Sequence, residues 1–358
     1  MTTTAAAVKA GYLPAAERVR ARGGLTTRGL GLVVAVAILV GAAALSIAIG
    51  TKAIPLSTVW DALDGRITDP SRAEDLTIIQ DLRIPRTLLG LAAGVALGLA
   101  GALMQALTRN PLADPGILGI NAGAAAAVVL AIRTLGVTSL TGYIWFAFAG
   151  AAGAFVVVYL LGTRGRSGAS PERLALAGAA VGAALLAITN AVALLDVTTF
   201  DRYRLWVVGG LAGRDMDVVL GVLPFIVAGA LLALGLGPSL NVVALGEDTA
   251  RALGANLGRT RVLSAIAITL LCGGATAAVG PIAFVGLAVP HLARAIVGPD
   301  QRWLLPYSLI LAPALLLLAD VAGRVVARPG ELQAGLITAF IGAPIFLAVI
   351  LRRRIVPL

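Results

Sequence analysis

The chain has 358 residues, of which 59% are hydrophobic and 13% charged, and its mean hydropathy is +0.95. Soluble domains carry about 25% charged residues, so this composition excludes a water-soluble globular protein. The net charge of +10 does not indicate a nucleic-acid partner, because the basic residues are scattered along the chain. His291 and Cys272 are single residues of their type, which excludes a His-rich metal site and an intramolecular disulfide.

The N-terminal 30 residues are basic and run directly into an apolar stretch that is too long for a signal peptide. We therefore predict a cytoplasmic tail, residues 1–30, followed by the first membrane span. With this end inside, most Lys and Arg residues fall in loops on the same side, as the positive-inside rule requires. The basic run 352–354 fits a cytoplasmic C-terminus.

Ten apolar segments follow one another, and most approach the roughly 20 residues that a membrane span needs. The third and eighth are expected to be short, tilted or broken, because Pro111, Pro115, Pro281 and Pro290 interrupt them. The sequence predicts an all-α integral membrane protein with about ten transmembrane helices. The segments lie near 31–50, 85–107, 114–132, 143–162, 173–195, 218–237, 261–280, 282–298, 303–321 and 333–351.

Arginines stand at the predicted outer ends of two spans. Arg83 and Arg86 open the second span three residues apart, which places them on one helix face. Arg324 ends the ninth span on the same side, and Asp320, one helical turn earlier, suits an ion pair with it. Such arginines are ordinarily interfacial anchors. Lys and Arg residues are usually concentrated on the inner side of the membrane, so arginines on the outer side also favour a role in binding.

Two polar segments lie on the predicted inner side. The turn that follows the second span contains Asn110, Pro111, Asp114 and Pro115, residue types that form rigid turns between helices. The segment 240–261 is too polar to span the membrane. Within it, residues 247–253 and 257–262 are predicted to form two short helices separated by a Gly-Ala-Asn turn. Taken alone, this segment fits either a solvated loop or a docking site.

These stretches, together with the Pro-His segment 280–294 and the segment 331–346, resemble in type and order the FecCD/BtuC family. Its members are permease subunits of binding-protein-dependent ABC importers for iron–siderophore complexes, haem and cobalamin. The resemblance covers residues 31–354 and implies one permease domain with the ten-helix type II ABC importer fold, as in BtuC. It also implies a dimer of permease subunits, formed with a second copy or with a sister chain.

The resemblance assigns roles to the two polar regions. The inner segment is expected to be a coupling segment that contacts two ATP-binding subunits, through Glu247, Asp248, Arg251, Ala252, Leu253, Gly254 and Arg259. The outer arginines are expected to receive carboxylates of an extracytoplasmic substrate-binding protein, at Arg83, Arg86 and Arg324. The loop 167–173 is expected to narrow the path on the cytoplasmic side.

The chain contains no Gly-x-x-x-x-Gly-Lys-Ser/Thr phosphate-binding loop. We therefore expect no enzyme activity and no bound cofactor, with ATP and Mg²⁺ used by a partner ATPase.

The predicted function is import of a ferric siderophore across the bacterial cytoplasmic membrane, with haem or cobalamin as alternative cargo. An ion-coupled secondary transporter is the main rival, but it needs acidic groups near the midplane, and apart from Asp114, the first residue of the third span, Asp320 is the only acid within the predicted spans. A membrane-embedded enzyme would need clustered catalytic groups, which the sequence lacks.

Overall fold

The computed structural model describes residues 25–65, 70–137, 139–163 and 171–351, and this part of the chain is built from helices. The first half contains α1 (Leu25–Ala48), α2 (Leu56–Leu63), α3 (Ala73–Thr77), α4 (Ile84–Thr108), α5 (Ile120–Leu135), α6 (Leu140–Thr163) and α7 (Pro171–Leu194). The second half contains α8 (Val197–Val207), α9 (Met216–Gly235), α10 (Gly237–Ala244), α11 (Glu247–Ala252), α12 (Leu257–Val279), α13 (Val285–Val297), α14 (Gln301–Val326) and α15 (Ala334–Leu351). A π-helical turn, Ile78–Arg83, joins α3 to α4 without a break.

Helices occupy all ten of the predicted membrane segments. In the described residues, α1, α4, α6, α7, α9, α12 and α14 are long and apolar enough to cross a bilayer, and α5, α13 and α15 provide shorter apolar helices. The expectation of short third and eighth segments is confirmed: α5 has 16 residues and α13 has 13. Prolines account for the shortening, since Pro115 opens a 3₁₀ turn before α5 and Pro281 lies in the irregular stretch before α13.

The central helix of the bundle is α4, which packs against α9, α12, α13 and α14. Together with α3 and the π-helical turn, α4 forms one continuous helical stretch, Ala73–Thr108. In the apolar part of this stretch, 83% of the residues are buried. Glycines allow the close approach: a Cβ at Gly94 would collide with the backbone of Pro313 in α14, and one at Gly101 with Gly286 in α13. Small residues at such contacts let helix backbones pack closely, which is the main source of association inside a membrane.

Helices α1 and α7 lie at the edge of the bundle. Only 17% of the apolar stretch of α1 and 11% of that of α7 are buried. The exposed side chains of α1 include Val33, Val40 and Leu45, which suit contact with lipid. The large open surface of α7 is therefore available to lipid or to another subunit.

The bundle has two ends, which we name by one residue each. At the Arg324 end, Arg324 of α14 donates hydrogen bonds to carbonyl oxygens of Ser46 and Ile49, where α1 ends. At the Asp300 end, Tyr307 donates from its hydroxyl to the carbonyl oxygen of Arg28, near the start of α1. The polar segment around α11 belongs to the Asp300 end, because Asn241 of α10 is bonded to Asp300.

The prediction of a separate short helix at 257–262 is wrong. Residues Leu257–Val279 form one helix, α12, whose first turns are polar and whose remainder is apolar. The side chain of Asn256 accepts a hydrogen bond from the backbone N–H of Arg259 at 2.9 Å and so caps this helix. No Gly or Pro stands between Arg259 and Cys272, so nothing in the sequence interrupts the helix at residue 262.

Candidate functional sites

Arg83 fastens the end of α1. Its guanidinium donates to the carbonyl oxygens of Ile47 at 2.9 Å, Ala48 at 2.7 Å and Lys52 at 2.7 Å. The last carbonyls of a helix have no intrahelical donors, and a cation near them also interacts favourably with the helix dipole. Arg83 therefore caps α1 from the neighbouring helix.

Arg86 and Arg324 share the carboxylate of Asp320. Arg86 binds it in a bidentate manner, and Arg324 lies 2.8 Å from Oδ2. The other end of the Arg86 guanidinium, Nη1, is 2.8 Å from Glu331 Oε2. The predicted pairing of Asp320 with Arg324 is thus confirmed, and the structure adds Arg86 and Glu331 to it.

The three arginines do not face outward, contrary to the picture of exposed docking residues. Arg83, Arg86 and Arg324 have only 4%, 9% and 2% of their surface exposed. Arg83 donates to carbonyl groups at and just after the end of α1. Arg324 donates to carbonyl groups in the same place and pairs with Asp320, whereas Arg86 binds the carboxylates of Asp320 and Glu331. The burial follows from the neighbouring helices, since the C-terminal carbonyls of α1 and the carboxylate of Asp320 need donors where water is excluded. The sequence showed the charges but not these acceptors.

The turn 110–115, which is predicted to lie on the inner side, has the expected local chemistry. Asn110 Oδ1 accepts from the backbone N–H of Leu112 at 2.9 Å, and Asp114 Oδ1 accepts from Gly116 N–H at 2.8 Å. Pro115 then opens the 3₁₀ turn that leads into α5. These contacts shape the backbone, and the structural role predicted for Asn110, Pro111, Asp114 and Pro115 is consistent with them.

The segment 240–261, which the sequence predicts to be a coupling segment, presents a polar surface at the Asp300 end. The Asp248 side chain is fully exposed and pairs with Arg251 at 3.2 Å, one turn later on α11. Ala252, Leu253, Gly254 and Arg259 are also exposed. The backbone of Glu247 begins α11.

A small apolar cluster holds this segment on the bundle. Ala250 on the inner face of α11 is fully buried against Val243 and Leu257. The helix is therefore fixed on one side and free on the other, and Gly254, two residues after its last residue, has a φ of +78° that turns the chain.

Arg294 of α13, in the Pro-His segment, is buried. Only 1% of its surface is exposed, and its Nη2 donates to Gln105 Oε1 of α4 at 3.0 Å. Gln105 was not predicted as a functional residue. A glutamine in an otherwise apolar span was the available signal, because a buried amide needs partners.

Asp300 joins α10 to α14 at the Asp300 end. Its carboxylate accepts from Asn241 Nδ2 at 2.6 Å, from the backbone N–H of Arg302 at 3.0 Å and from the Arg302 guanidinium. Partial burial acts to raise the pKa of this carboxyl, but the hydrogen bonds from Arg302 and Asn241 outweigh it and lower the pKa below its ordinary value. The ionised form therefore caps α14 and fixes α10 beside it.

Some predicted features lie outside the described residues: the tail as far as residue 24, most of the loop 167–173, and the basic run 352–354. Among the residues that the structure does describe, no group of three or more His, Cys, Asp or Glu side chains could hold a metal ion.

Together, the fold and the two polar regions define a multi-span helical membrane protein with a buried charge cluster at one end and an exposed polar helix at the other. The model of the FecCD transport family matches residues 37–352. The chain belongs to this family.

Individual relatives share most of this length. The chain is 48% identical to the ferric enterobactin transport system permease protein FepD of Escherichia coli (strain K12), over 91% of this chain and 96% of that protein. It is 39% identical to the Fe(3+) dicitrate transport system permease protein FecC of the same organism, over 84% and 91% of the two chains. A solved metal-chelate type ABC transporter in an inward-facing conformation superimposes with a TM-score of 0.78 at 27% identity, covering 90% of this chain and 99% of that one.

Proposed function

We propose that the chain is the permease subunit of an ABC importer, driven by ATP hydrolysis on a separate ATPase subunit. The observation that carries the proposal is the exposed, polar α11 on a chain of the FecCD transport family. A transporter of this kind needs a contact surface for the ATPase, because the sequence contains no phosphate-binding loop of its own. The surface of α11 and the following turn provides that contact.

The proposed cargo is a ferric siderophore. The relatives named above are permeases for ferric enterobactin and ferric dicitrate, which are iron chelates. Haem and cobalamin are the alternatives that the family resemblance leaves open. We use ferric enterobactin as the probe, because the relative that transports it is 48% identical to this chain.

In the proposed orientation the Asp300 end faces the cytoplasm, in the bacterial cytoplasmic membrane, and both termini are cytoplasmic. The basic N-terminal tail and the run 352–354 support this orientation. Two ATP-binding subunits then contact the coupling segment of a permease dimer. The second permease subunit is another copy or a sister chain, and the open surface of α7 is available to it.

Docking of a substrate-binding protein is proposed for the Arg324 end, with Arg86 as the arginine that receives a carboxylate. Arg86 differs from Arg83 and Arg324 because part of its binding is to Glu331, whose side chain is 29% exposed. A carboxylate of the binding protein can replace that of Glu331 without disturbing the bidentate pair between Arg86 and Asp320. Arg83 and Arg324 hold α1 in place around this point.

The ATPase contact is tested by co-purification of the partner ATPase with the chain. Leu253 directly follows α11 and has 63% of its surface exposed, and we expect Leu253→Asp to abolish co-purification because it places a negative charge where the proposed contact has an apolar side chain. Asp201→Arg is the matched control, since Asp201 is exposed on α8 and its change alters charge away from the coupling segment. ATPase recovery that is unchanged by Leu253→Asp would contradict the proposed contact.

A further inference from the structure

Helix α13 has a gap in its hydrogen bonding, and α4 fills it. Pro290 lacks an N–H, so the carbonyl oxygen of Gly286, four residues earlier, has no intrahelical donor. Gln105 of α4 lies beside it, with Nε2 at 3.4 Å from this oxygen and 3.3 Å from that of Leu287. Gly101, one turn earlier on α4, contacts Gly286 closely. Gln105 therefore supplies the donor that Pro290 cannot.

Arg294 orients Gln105 but is itself poorly satisfied. Its Nη2 donates to Gln105 Oε1, which leaves Gln105 Nε2 directed at α13. The Nε and Nη1 groups of Arg294 have no hydrogen-bond partner, and they are inaccessible to solvent. No carboxylate of the described residues lies within ion-pair distance of it. A buried guanidinium with a single bond is an unfavourable arrangement, and it favours a second arrangement with more partners.

A complementary unpartnered group lies on the next helix. Gln301 Oε1, in the first turn of α14, is a buried acceptor without a partner. Arg294 lies in the last turn of α13, and Gln301 is the first residue of α14. The turn 298–300 connects the two helices. The two helices pack against each other. An unpartnered donor and an unpartnered acceptor therefore flank the same turn.

Gln301 is also connected to the coupling segment. Its backbone N–H donates to Asn241 Oδ1 at 2.8 Å, and Asn241 Nδ2 donates to Asp300 Oδ1. Asn241 belongs to α10, which is separated from α11 by two residues, 245 and 246. A displacement of α11 therefore reaches Gln301 through α10 and Asn241.

We propose that Arg294 is a positioning residue for transport, and that it exchanges its partner between Gln105 and Gln301 as the coupling segment moves. With Gln105 as partner, α13 is held on α4. With Gln301 as partner, the donor that caps the carbonyl of Gly286 is no longer oriented, and α13 is released from α4. This inference rests on the proposed ABC importer function, because the movement is supplied by the ATPase.

The test compares two variants that remove opposite partners of Arg294, in the complete complex of the chain with its ATPase in proteoliposomes. Gln105→Leu destabilises the held state, and Gln301→Leu destabilises the released state while keeping the backbone bond to Asn241. Loss of one hydrogen bond to a charged group changes an equilibrium about tenfold. We expect basal ATP hydrolysis to rise by up to about tenfold in Gln105→Leu and to fall by a similar factor in Gln301→Leu.

The control is Ser308→Ala, which removes another buried unpartnered oxygen from α14 and should leave hydrolysis unchanged. A purely structural role would lower the amount of assembled complex in both variants and change hydrolysis in the same direction. That result, or hydrolysis in Gln301→Leu equal to that of the unmodified chain, would overturn the proposal. Absence of hydrolysis with the unmodified chain would instead contradict the ABC importer function itself.

Discussion

Arg86 and Asp320 form two parallel hydrogen bonds inside the helix bundle, Nε to Oδ2 at 2.9 Å and Nη2 to Oδ1 at 2.8 Å. The two residues are 234 positions apart in the chain, and this pair joins α4, which carries Arg86, to α14, which carries Asp320. Asp320 has no exposed surface, and it also binds Arg324. The pair therefore fixes the Arg324 end of the bundle.

Removing one member of this pair should strongly destabilise the protein. We expect Arg86→Met to lower the free energy of unfolding by about 3–5 kcal/mol, because the carboxylate of Asp320, which has no exposed surface, loses a cation that water cannot replace. Thermal unfolding in detergent measures the effect. Arg72→Met is the control: Arg72 pairs with Asp61 at 3.5 Å on the surface, and its loss should cost about 0–1 kcal/mol. Equal shifts for both variants would contradict the structural role of the pair.

The contact between α4 and α13 should not accept a methyl group. A Cβ at Gly101 would meet the backbone of Gly286, which cannot move without separating the two helices. We expect Gly101→Ala to destabilise the protein by about 1–3 kcal/mol, the usual cost of overpacking.

Gly41→Ala is the matched helical control for this prediction. Gly41 lies on the lipid-facing α1, with open space around its Cβ position. Since alanine is the better helix former, this change should be neutral or stabilising by up to about 1 kcal/mol. The comparison is made by thermal unfolding, and a Gly101→Ala protein as stable as Gly41→Ala would show that α4 and α13 are not in backbone contact.

Glu331 should compete with the substrate-binding protein for Arg86. We expect Glu331→Gln to strengthen docking by roughly fivefold, because it removes a competing ion pair worth about 1 kcal/mol. Titration of the binding protein onto the permease complex in nanodiscs measures the dissociation constant. A loss of affinity on Glu331→Gln would mean that Glu331, and not Arg86, contacts the partner.

The ionised form of Asp300 should contribute to stability above its pKa. Hydrogen bonds lower the pKa of this carboxyl below 3.8 in the folded protein, so its contribution is present at pH above 3.8 and is lost as the pH falls through the lower folded value. Asp300→Asn keeps a helix-capping side chain but removes the titration. The decrease in melting temperature between about pH 5 and pH 3 should then be shallower than in the unmodified chain. An identical pH profile would contradict the role of the charge.

The membrane spans were predictable from the sequence because their signal is local. Apolar runs of the required length and interrupting prolines are read directly, and both α5 and α13 are short where Pro115 and Pro281 stand. The boundary at residue 262 was mistaken for the end of a short helix, because polarity changes there while the helical conformation does not. Polarity indicates where lipid begins, not where a helix ends.

The polar contacts were less predictable because they join distant parts of the chain. The sequence indicated the pairing of Asp320 with Arg324, which are four residues apart on one helix. It could not indicate that Arg83 caps the end of α1, or that Gln105 replaces the donor missing at Pro290. Both contacts depend on which helices are neighbours, and apolar periodicity alone does not specify neighbours within a membrane bundle.

The most direct test of the central claim is uptake of radiolabelled ferric enterobactin by proteoliposomes that contain the chain, its ATPase and its binding protein. We expect uptake that requires ATP and that is lost with Glu247→Arg in the coupling segment, while the amount of permease in the membrane stays unchanged. Uptake that continues without ATP but stops when the proton gradient is collapsed would contradict the account and identify the chain as an ion-coupled secondary transporter.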